Sequence, residues 1–300
     1  MAADGFASNF RKHLVKKKTE VTSQFVALEL IDAVLPNPKH GHVVLGNYPP
    51  ILLYQIGTHE TRALIDVRDR VPASDMRAHL QSRTAHLPEC IRPSFSKAIL
   101  SRNRYQSMPN SFLPPTTNTV PGLLVIGDAM NMRHPLTGGG MTVAFSDVVL
   151  LSHFLSPQNL PDLDDVYDVT SALADFHWRR KNAPELGSSC INILSMALYA
   201  LFAADSDQLR ALQRGCFEYF TRGGECVSGP SSLLAGIVRS PWVLFWHFYA
   251  VAFCSMGLVF RDLGGWKAPW MWPVGLVAAV RILWTACVVI FPYMLSEVRW

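Results

Sequence analysis

The sequence predicts a mixed α/β (α+β) protein that combines an antiparallel sheet with a helical, apolar C-terminal region. Residues 20–67 contain short apolar runs separated by turn residues, at a spacing of roughly ten residues that is typical of antiparallel strands. Residues 241–260 contain no Lys, Arg, Asp or Glu. Between these regions, apolar residues recur mainly at helical spacing. A sheet followed by helices is therefore expected.

Strand signals are concentrated near the N-terminus, and the predicted strands cover residues 21–30, 42–46, 51–57 and 61–67. Residues 74–102 predict two helical pieces divided near Pro93. The Pro-rich stretch 105–122 predicts the end of a strand followed by a loop. Leu123–Ile126 is a short apolar run, which predicts a buried strand that ends at Ile126.

Helical periodicity dominates the next hundred residues. From Met141 to Leu155, apolar residues recur at steps of three and four, which predicts one apolar helix face. Further helices are predicted at about 163–181, 186–204 and 205–221, and the last should stop at Gly223-Gly224.

Composition favours a membrane-associated protein. The chain has 300 residues, enough for one large or two smaller domains, with 49% hydrophobic and only 17% charged residues. A net charge of +4 suits an anionic membrane surface or a phosphate-bearing cofactor better than nucleic acid. The six cysteines form no C-x-x-C pair, and no His cluster has metal-ligand spacing, so free thiols and no metal site are expected. Residues 1–19 lack the apolar core of a signal peptide, and their basic residues Arg11, Lys12, Lys16, Lys17 and Lys18 predict a solvated face.

The C-terminal end predicts two apolar helices. Residues 241–260 reach the length of a membrane span, about 20 residues. Residues 268–296 are also apolar, although Pro273, Arg281 and Pro292 interrupt them. Tryptophans flank this second tract as in an interfacial belt, at Trp266, Trp270, Trp272 and Trp300. A monotopic hairpin in one leaflet is favoured over a spanning hairpin, and a buried helix pair in a soluble protein is the third alternative.

One stretch, GDAMNMRHPLTGGGMT at residues 127–142, has the composition of a ligand loop. Asp128 follows the predicted strand, at the edge where open α/β sheets bind ligands. Three glycines, 138–140, precede the helix predicted from Met141, and exposed N–H groups at a helix start favour negative charge. A dinucleotide site is therefore predicted. The alternative is a tight turn in which Asp128 caps a helix.

Residues 127–147, GDAMNMRHPLTGGGMTVAFSD, resemble the flavin motif of the squalene monooxygenase (squalene epoxidase) family in its fungal form. ADGFASNFRK resembles the family's second flavin signature, with Asp4-Gly5 as its DG pair. The resemblance covers essentially the whole chain, and its other motifs are SMPNSFLPP, NILSMALYALF, CFEYFTRGGECVSGP and IFPYMLSE.

The resemblance implies a flavin-monooxygenase fold of the hydroxybenzoate-hydroxylase type, here partial, with a substrate-domain sheet and a membrane-associated helical end. It implies that FAD, reduced by NADPH-cytochrome P450 reductase, and O2 convert squalene to (3S)-2,3-oxidosqualene in sterol or triterpenoid biosynthesis. It also implies a location on the endoplasmic reticulum (microsomal) membrane, in contact with membrane lipid. No side-chain nucleophile or metal is expected to be catalytic, because the cofactor supplies the oxygen chemistry.

By position, the resemblance implies that Asp128 contacts the ribityl or pyrophosphate part of FAD. The backbone N–H groups of Gly139, Gly140 and Met141 would contact the isoalloxazine, while Pro135 and Leu136 would lie between flavin and substrate. The other implied cofactor-binding residues are Asp4, Gly5, Gly127 and Gly138. The implied squalene-pocket residues are Tyr54, Leu136, Phe202, Phe217, Phe220, Leu233 and His247. Each pocket residue has an ordinary core role as its alternative, and Arg133 and His134 are either flavin neighbours or structural hydrogen-bond donors.

The chain departs from the family pattern because no G-x-G-x-x-G occurs in its 300 residues. We therefore expect these residues to hold only the flavin-ring side of FAD. Besides squalene monooxygenase, two functions are considered: a non-catalytic interaction or regulatory protein of the same descent, including one that complements a separate N-terminal half, and a paralogue that epoxidises a related polyene in secondary metabolism. The predicted domains are residues 1–19 and 107–160 for FAD, 20–106 for the substrate sheet, 161–239 for the helical pocket and 240–300 for the membrane helices.

Overall fold

The computed structural model describes residues 1–15, 18–46, 48–68, 71–102, 104–183, 187–265 and 268–298. Lys16, Lys17, Trp266 and Trp300, which the sequence analysis places in a basic face and an aromatic belt, lie outside the described residues. The chain divides into two compact units, one formed by residues 1–20 and 112–300 and the other by residues 21–111.

The smaller unit is built on a five-stranded sheet with the strand order β2-β3-β4-β1-β5. The strands are β1 (Glu20–Ile31), β2 (His42–Val44), β3 (Ile51–Gln55), β4 (Glu60–Val67) and β5 (Gln106–Phe112). The pairs β1–β4, β2–β3 and β3–β4 are antiparallel, which confirms the predicted antiparallel sheet. The Pro-rich segment supplies β5, and its Pro109 is tolerated because β5 is an edge strand.

Two short helices complete this unit, α2 (Met76–Thr84) and α3 (Arg92–Leu100). Alternate residues Val26, Leu28 and Leu30 of β1 are buried in one apolar cluster with Leu80 of α2 and Phe95 of α3. Pro93 does not divide the helices, as the sequence suggested, but lies in the first turn of α3. A proline is accommodated there because the N–H that it lacks has no partner within the helix.

The larger unit is mainly helical. It begins with the short helix α1 (Arg11–Leu14) and contains, after residue 112, the helices α4 (Gly140–Phe154), α5 (Val166–Asn182), α6 (Ser189–Ala203), α7 (Asp207–Thr221), α8 (Glu225–Leu234), α9 (Pro241–Asp262) and α10 (Trp272–Val298). The helices predicted before Gly223 are confirmed with shifts of a few residues at their ends. Helix α8 was not predicted, because Gly229 and Pro230 lie in its interior.

The predicted strand at Leu123–Ile126 is wrong as a regular element. Val125 forms an isolated parallel bridge with Ala2, through bonds from Ala2 N to Leu124 O (2.7 Å) and from Ile126 N to Ala2 O (3.0 Å). The segment is buried and extended as expected. An apolar run becomes a strand only where neighbouring strands satisfy its backbone. Among the described residues, Ala2 forms the one β-bridge here, and the Asn118 side chain bonds the N–H and the C=O of Val125 instead of a second strand.

The C-terminal helices are longer and more regular than the sequence suggested. Helix α10 continues through Pro292, whereas we expected the second tract to be broken. Pro273 lies in the first turn of α10, where proline is tolerated. Helix α9, with 22 residues, and the segment Pro269–Val298, with 30, are long and apolar enough to cross a membrane. The bent pair α6 and α7, with 109° between its helices, would add a third candidate if it counts as one span.

Candidate active site

Residues 127–142 form a loop and the first turn of α4, and we call this segment the GD loop. It begins with a short 3-10 helix, Gly127–Ala129, directly after the buried segment that ends at Ile126. The N–H groups of Met130 and Asn131 both donate to Gly127 O at 3.0 Å, which closes the turn. Asp128 thus stands on a tight turn rather than at the end of a regular strand. Its location beside the start of α4 agrees with the predicted ligand loop.

The second half of the loop is fixed by α6. His134 Nδ1 accepts a bond from Leu136 N at 3.2 Å, and the His134 ring stacks on Tyr199 with 3.7 Å between centroids. Thr137 Oγ1 and Ser195 Oγ are 2.6 Å apart. His134 is therefore buried and structural here, but its Nδ1 acts as a hydrogen-bond acceptor rather than as the donor that the sequence suggested as one alternative.

A cavity of about 370 Å³ lies between the two halves of this loop and the start of α4. Five of the predicted cofactor-binding residues line it together with two further residues, and the full set is Asp128, Arg133, Pro135, Gly138, Gly140, Met141 and Ala144. The Met141 side chain is 71% exposed at the rim. The structure thus brings together residues that are up to sixteen positions apart in the sequence.

Glycine is needed in this loop because other atoms come close to its backbone. A Cβ added to Gly139 would lie 2.5 Å from Ile191 Cγ2 of α6, so this residue has no room for a side chain. A Cβ on Gly140 would lie 3.9 Å from both Asp128 Oδ1 and Arg133 Nη1. Gly140 therefore keeps open the space that a carboxylate and a guanidinium face.

The N-terminal DG segment is tied to the GD loop by Arg11. Its Nε donates to Ala129 O at 2.8 Å, and its Nη2 donates to Asp128 O at 3.0 Å and to Gly5 O at 3.1 Å. The expectation of a solvated basic face is thus wrong for Arg11. Asp4 Oδ2 accepts from Asn9 N at 3.1 Å, and a hydrogen bond from the Ser8 side chain lowers the pKa of Asp4. The hydrogen bonds of Arg11 therefore hold the segment that contains Asp4 and Gly5 beside the GD loop.

Behind the cavity, Asn131 is the centre of a buried polar network. Its Oδ1 accepts from Arg133 Nη2 at 2.9 Å, from Asn192 Nδ2 at 3.1 Å and from Arg180 Nη2 at 3.4 Å. Its Nδ2 donates to Leu113 O at 2.9 Å, and its backbone O accepts from Arg133 Nη2 at 2.7 Å. One amide therefore orients two guanidinium groups.

The network continues into four helices. Arg180 of α5 forms a two-pronged ion pair with Asp147 of α4, with Nε–Oδ1 2.8 Å and Nη2–Oδ2 2.7 Å. Asn192 of α6 also donates to Glu297 Oε1 of α10 at 2.9 Å. Because these side chains are buried, the GD loop is joined to the end of the C-terminal helix by hydrogen bonds shielded from water.

Arg133 provides the buried positive charge at the cavity. Burial lowers the pKa of Arg133 to about 10, while the nearby Asp128 charge opposes that effect. The guanidinium therefore remains protonated at neutral pH. The cavity pairs one carboxylate with one cation and lies at the start of a helix, whose partial positive charge favours anionic ligand groups.

The residues present fit the flavin-ring side of FAD. Asp128 offers acceptor oxygens for hydroxyl groups, the glycines permit close backbone approach, and Arg133 and the start of α4 favour the electron-rich edge of the ring system. Gly140 supports this fit, because its missing Cβ leaves the space between Asp128 and Arg133 free for a ligand. Among the described residues, no group of three or more His, Cys, Asp or Glu side chains could hold a metal ion.

An apolar cavity of about 80 Å³ lies among the helices α6 to α10. Phe220, Leu233 and His247, three of the predicted substrate-pocket residues, line it. Tyr219 Oη and His247 Nδ1 share a hydrogen bond of 2.8 Å, so His247 is buried and satisfied. The cavity is smaller than typical ligand pockets, which hold about 300–1,000 Å³.

The remaining predicted pocket residues lie elsewhere. Phe202 packs against the apolar cluster that contains Leu212 and Cys216, beside the cavity. Phe217 is 52% exposed on α7, and Leu136 is buried in the GD loop. Tyr54 belongs to β3 of the smaller unit, where it is exposed.

Sequence reasoning missed Arg11, Asn131, Asp147, Arg180, Asn192 and Glu297. Four of these are polar residues at buried helix positions, so an Asp or Arg on an otherwise apolar helix face was the available signal. Arg11 gave no such signal because it occurs in a basic stretch, and Asn131 gave none because it lies in a loop that has no helix face.

Comparison with known proteins gives a consistent family. The family model described as squalene epoxidase matches residues 1–271. The squalene epoxidase of Aspergillus fumigatus is 51% identical over 303 residues, which cover 99% of this chain and 61% of that protein. The squalene monooxygenase of Mus musculus is 40% identical over 301 residues, which cover 100% of this chain and 51% of that protein. The chain thus spans about half to three fifths of the length of these relatives.

Solved structures show the same fold class at low sequence identity. HpxO of Klebsiella pneumoniae, complexed with FAD and uric acid, superposes with a TM-score of 0.58 at 16% identity, over 78% of this chain and 59% of that one. The anhydrotetracycline hydroxylase OxyS of Streptomyces rimosus superposes with a TM-score of 0.53 at 18% identity, over 80% of this chain and 46% of that one. These similarities concern the fold alone.

Proposed function

Since the chain belongs to the squalene epoxidase family, we propose that it provides the flavin-ring and substrate side of an FAD-dependent squalene monooxygenase. The reaction would be epoxidation of squalene by O2 to (3S)-2,3-oxidosqualene. The single observation that supports this most directly is the cavity shared by Asp128, Gly138, Gly140 and Met141. The low-identity neighbours that carry FAD in their structures are consistent with it.

The roles of the residues follow from their positions. Asp128 would accept hydrogen bonds from the ribityl hydroxyls, and Gly139, Gly140 and Met141 would offer backbone N–H groups to the ring. When bound, FAD would supply the redox and oxygen-transfer chemistry. The protein would orient the ring, while buried loop residues such as Leu136 exclude water from one side.

The apolar cavity among α6 to α10 would receive part of the squalene chain. Its lining is almost entirely aliphatic and aromatic, as a hydrocarbon substrate requires. Because its volume is only about 80 Å³, we propose that a wall moves when substrate enters. Helix α8 is the best candidate, because it supplies Pro230 and Leu233 to the lining and follows Gly223 and Gly224, both with positive φ.

We propose that α9 and α10 attach the protein to the endoplasmic reticulum membrane as a monotopic hairpin, where it would meet membrane lipid and its electron donor, NADPH-cytochrome P450 reductase. Helix α7 packs along α9, and Arg214 and Glu218 of α7 pair with the C-terminal end of α9 through Arg214–Asp262 (2.8 Å) and Glu218–Arg261 (3.7 Å). A hairpin that crossed the bilayer would carry α7, which has charged residues along its length, into the membrane beside α9, and such charges are costly in hydrocarbon.

The flavin assignment predicts that Asp128→Ala weakens FAD binding about tenfold or more. Loss of a hydrogen bond to a charged group costs about 1.5–3 kcal/mol, and a tenfold change in affinity corresponds to about 1.4 kcal/mol. Binding is measured by quenching of flavin fluorescence during titration of the detergent-purified chain. Asp175→Ala, at an exposed position of α5, is the matched control and should bind as the wild type does. Equal affinity of the Asp128 variant and the wild type, or no binding by the wild type, would refute the assignment.

The monotopic arrangement predicts that the α9–α10 connection stays on the same side of the membrane as the rest of the chain. Leu263→Cys, in a Cys90→Ser background, should react with a membrane-impermeant maleimide in sealed microsomes. Its reaction should be as fast as that of the exposed Cys90 in the wild-type chain. The Cys90→Ser protein alone gives the background from the other thiols. Reaction of residue 263 only after permeabilisation, while Cys90 of the wild-type chain reacts in sealed microsomes, would instead indicate a spanning hairpin.

A further inference from the structure

The guanidinium of Arg133 is buried but has donor capacity that the protein does not use. The side chain lines the cavity, and only 7% of the residue is exposed. Nη2 donates to Asn131 at 2.7 and 2.9 Å, whereas Nη1 reaches Gly139 O and Gly140 O only at 3.5 Å. Nε has no hydrogen-bond partner in the described part of the chain. A buried donor left in this state is costly unless a ligand completes it.

The neighbouring charges leave Arg133 as the cation that faces the cavity. Asp147 is held by Arg180 in the two-pronged pair, and Glu297 accepts from Asn192 and from Ser189 Oγ at 2.9 and 3.2 Å. Lys181 lies over the Trp178 ring and does not line the cavity. Of the charged residues in this network, only Asp128 and Arg133 line the cavity.

The position of Arg133 is set by Asn131. Both bonds from Nη2 go to this residue, one to its backbone O and one to its side-chain Oδ1. Asn131 is itself fixed by Leu113 O, Arg180 and Asn192. The charge therefore cannot swing away from the cavity without breaking the network, so it is preorganised.

We propose that Arg133 makes this cavity bind reduced flavin more tightly than oxidised flavin, and that Asn131 is the positioning residue for it. This inference rests on the proposed function. Two-electron reduction, FAD + 2e⁻ + H⁺ → FADH⁻, adds a negative charge to the ring system. A fixed cation that is itself buried stabilises that charge, and the start of α4 acts in the same direction. The electrons come from the reductase of the proposed function.

The test is the reduction potential of FAD bound to the full chain, measured by equilibration with a reference dye. Arg133→Gln removes the charge and retains hydrogen-bond donors, while Arg133→Lys retains the charge. We expect Arg133→Gln to weaken the binding of reduced FAD about tenfold relative to that of oxidised FAD. This change lowers the reduction potential by about 30 mV for a two-electron couple. Arg133→Lys should remain close to the wild type.

The possible outcomes separate this inference from the proposed function. A potential that is unchanged in Arg133→Gln, or an equal loss of affinity for both redox forms, overturns the inference and leaves the flavin site standing. A wild-type chain that binds neither form overturns both. If circular dichroism shows that Arg133→Gln does not fold, Met141→Lys replaces it, since Met141 is exposed at the rim of the same cavity. That added charge should raise the potential, and no response overturns the inference.

Discussion

Asp147→Ala is expected to lower the free energy of unfolding of the larger unit by about 3–5 kcal/mol, because it leaves the Arg180 charge buried and unpaired. The Asp147 and Arg180 side chains are 1% and 0% exposed, and two bonds of 2.7 and 2.8 Å join them. This loss would be a large part of the stability of an ordinary domain, about 5–15 kcal/mol.

The measurement is urea unfolding in detergent micelles, followed by circular dichroism. Asp262→Ala is the matched control, because it breaks the Arg214–Asp262 pair of 2.8 Å, whose side chains are 61% and 44% exposed. That loss should stay within about 1 kcal/mol, since water solvates both charges. The double variant Asp147→Leu with Arg180→Met should be less damaging than Asp147→Ala alone, because it leaves no unpaired charge. Equal effects of Asp147→Ala and Asp262→Ala would contradict the buried-pair assignment.

The same ion pair marks the limit of what could be predicted from sequence. Periodicity predicts α4 and α5 well, because an apolar face repeats along each helix. It does not indicate that an Asp on one helix meets an Arg on another 33 residues later. Such pairs depend on the packing of the helices, and local spacing contains no information about that packing.

The ligand loop was predictable for a different reason. Its turn chemistry is local, so the string from Gly127 to Thr142 determines a turn, a glycine-rich loop and a helix start. The wrong strand prediction at Leu123–Ile126 has the opposite cause, because it concerns an element that local sequence does not determine. A strand depends on its neighbours, and the only bridge made there by described residues is the one to Ala2.

Two helix glycines illustrate the limit most directly, because sequence alone does not distinguish Gly215 of α7 from Gly257 of α9. Both lie in a helix interior, where replacement by alanine ordinarily stabilises by up to about 1 kcal/mol. A Cβ on Gly215, however, would lie 1.8 Å from Ser255 Oγ and 2.8 Å from the Ser255 Cα, whereas a Cβ on Gly257 would meet nothing within 4 Å. The two replacements should therefore change the free energy of unfolding in opposite directions.

Gly215→Ala is expected to destabilise by about 1–3 kcal/mol, because the contact with Ser255 Cα is with backbone and only a shift of α7 away from α9 relieves it. Gly257→Ala should be neutral or stabilising, so thermal unfolding of the two proteins in micelles gives a matched pair. Ser255→Gly should partly rescue Gly215→Ala, since it removes the Oγ and Cβ contacts but not the one with Cα. Because Cys216 and Phe220 of α7 and His247 of α9 line the apolar cavity, the same shift should enlarge it. Equal stability of the two alanine variants would contradict the close α7–α9 packing on which both the cavity and the monotopic arrangement depend.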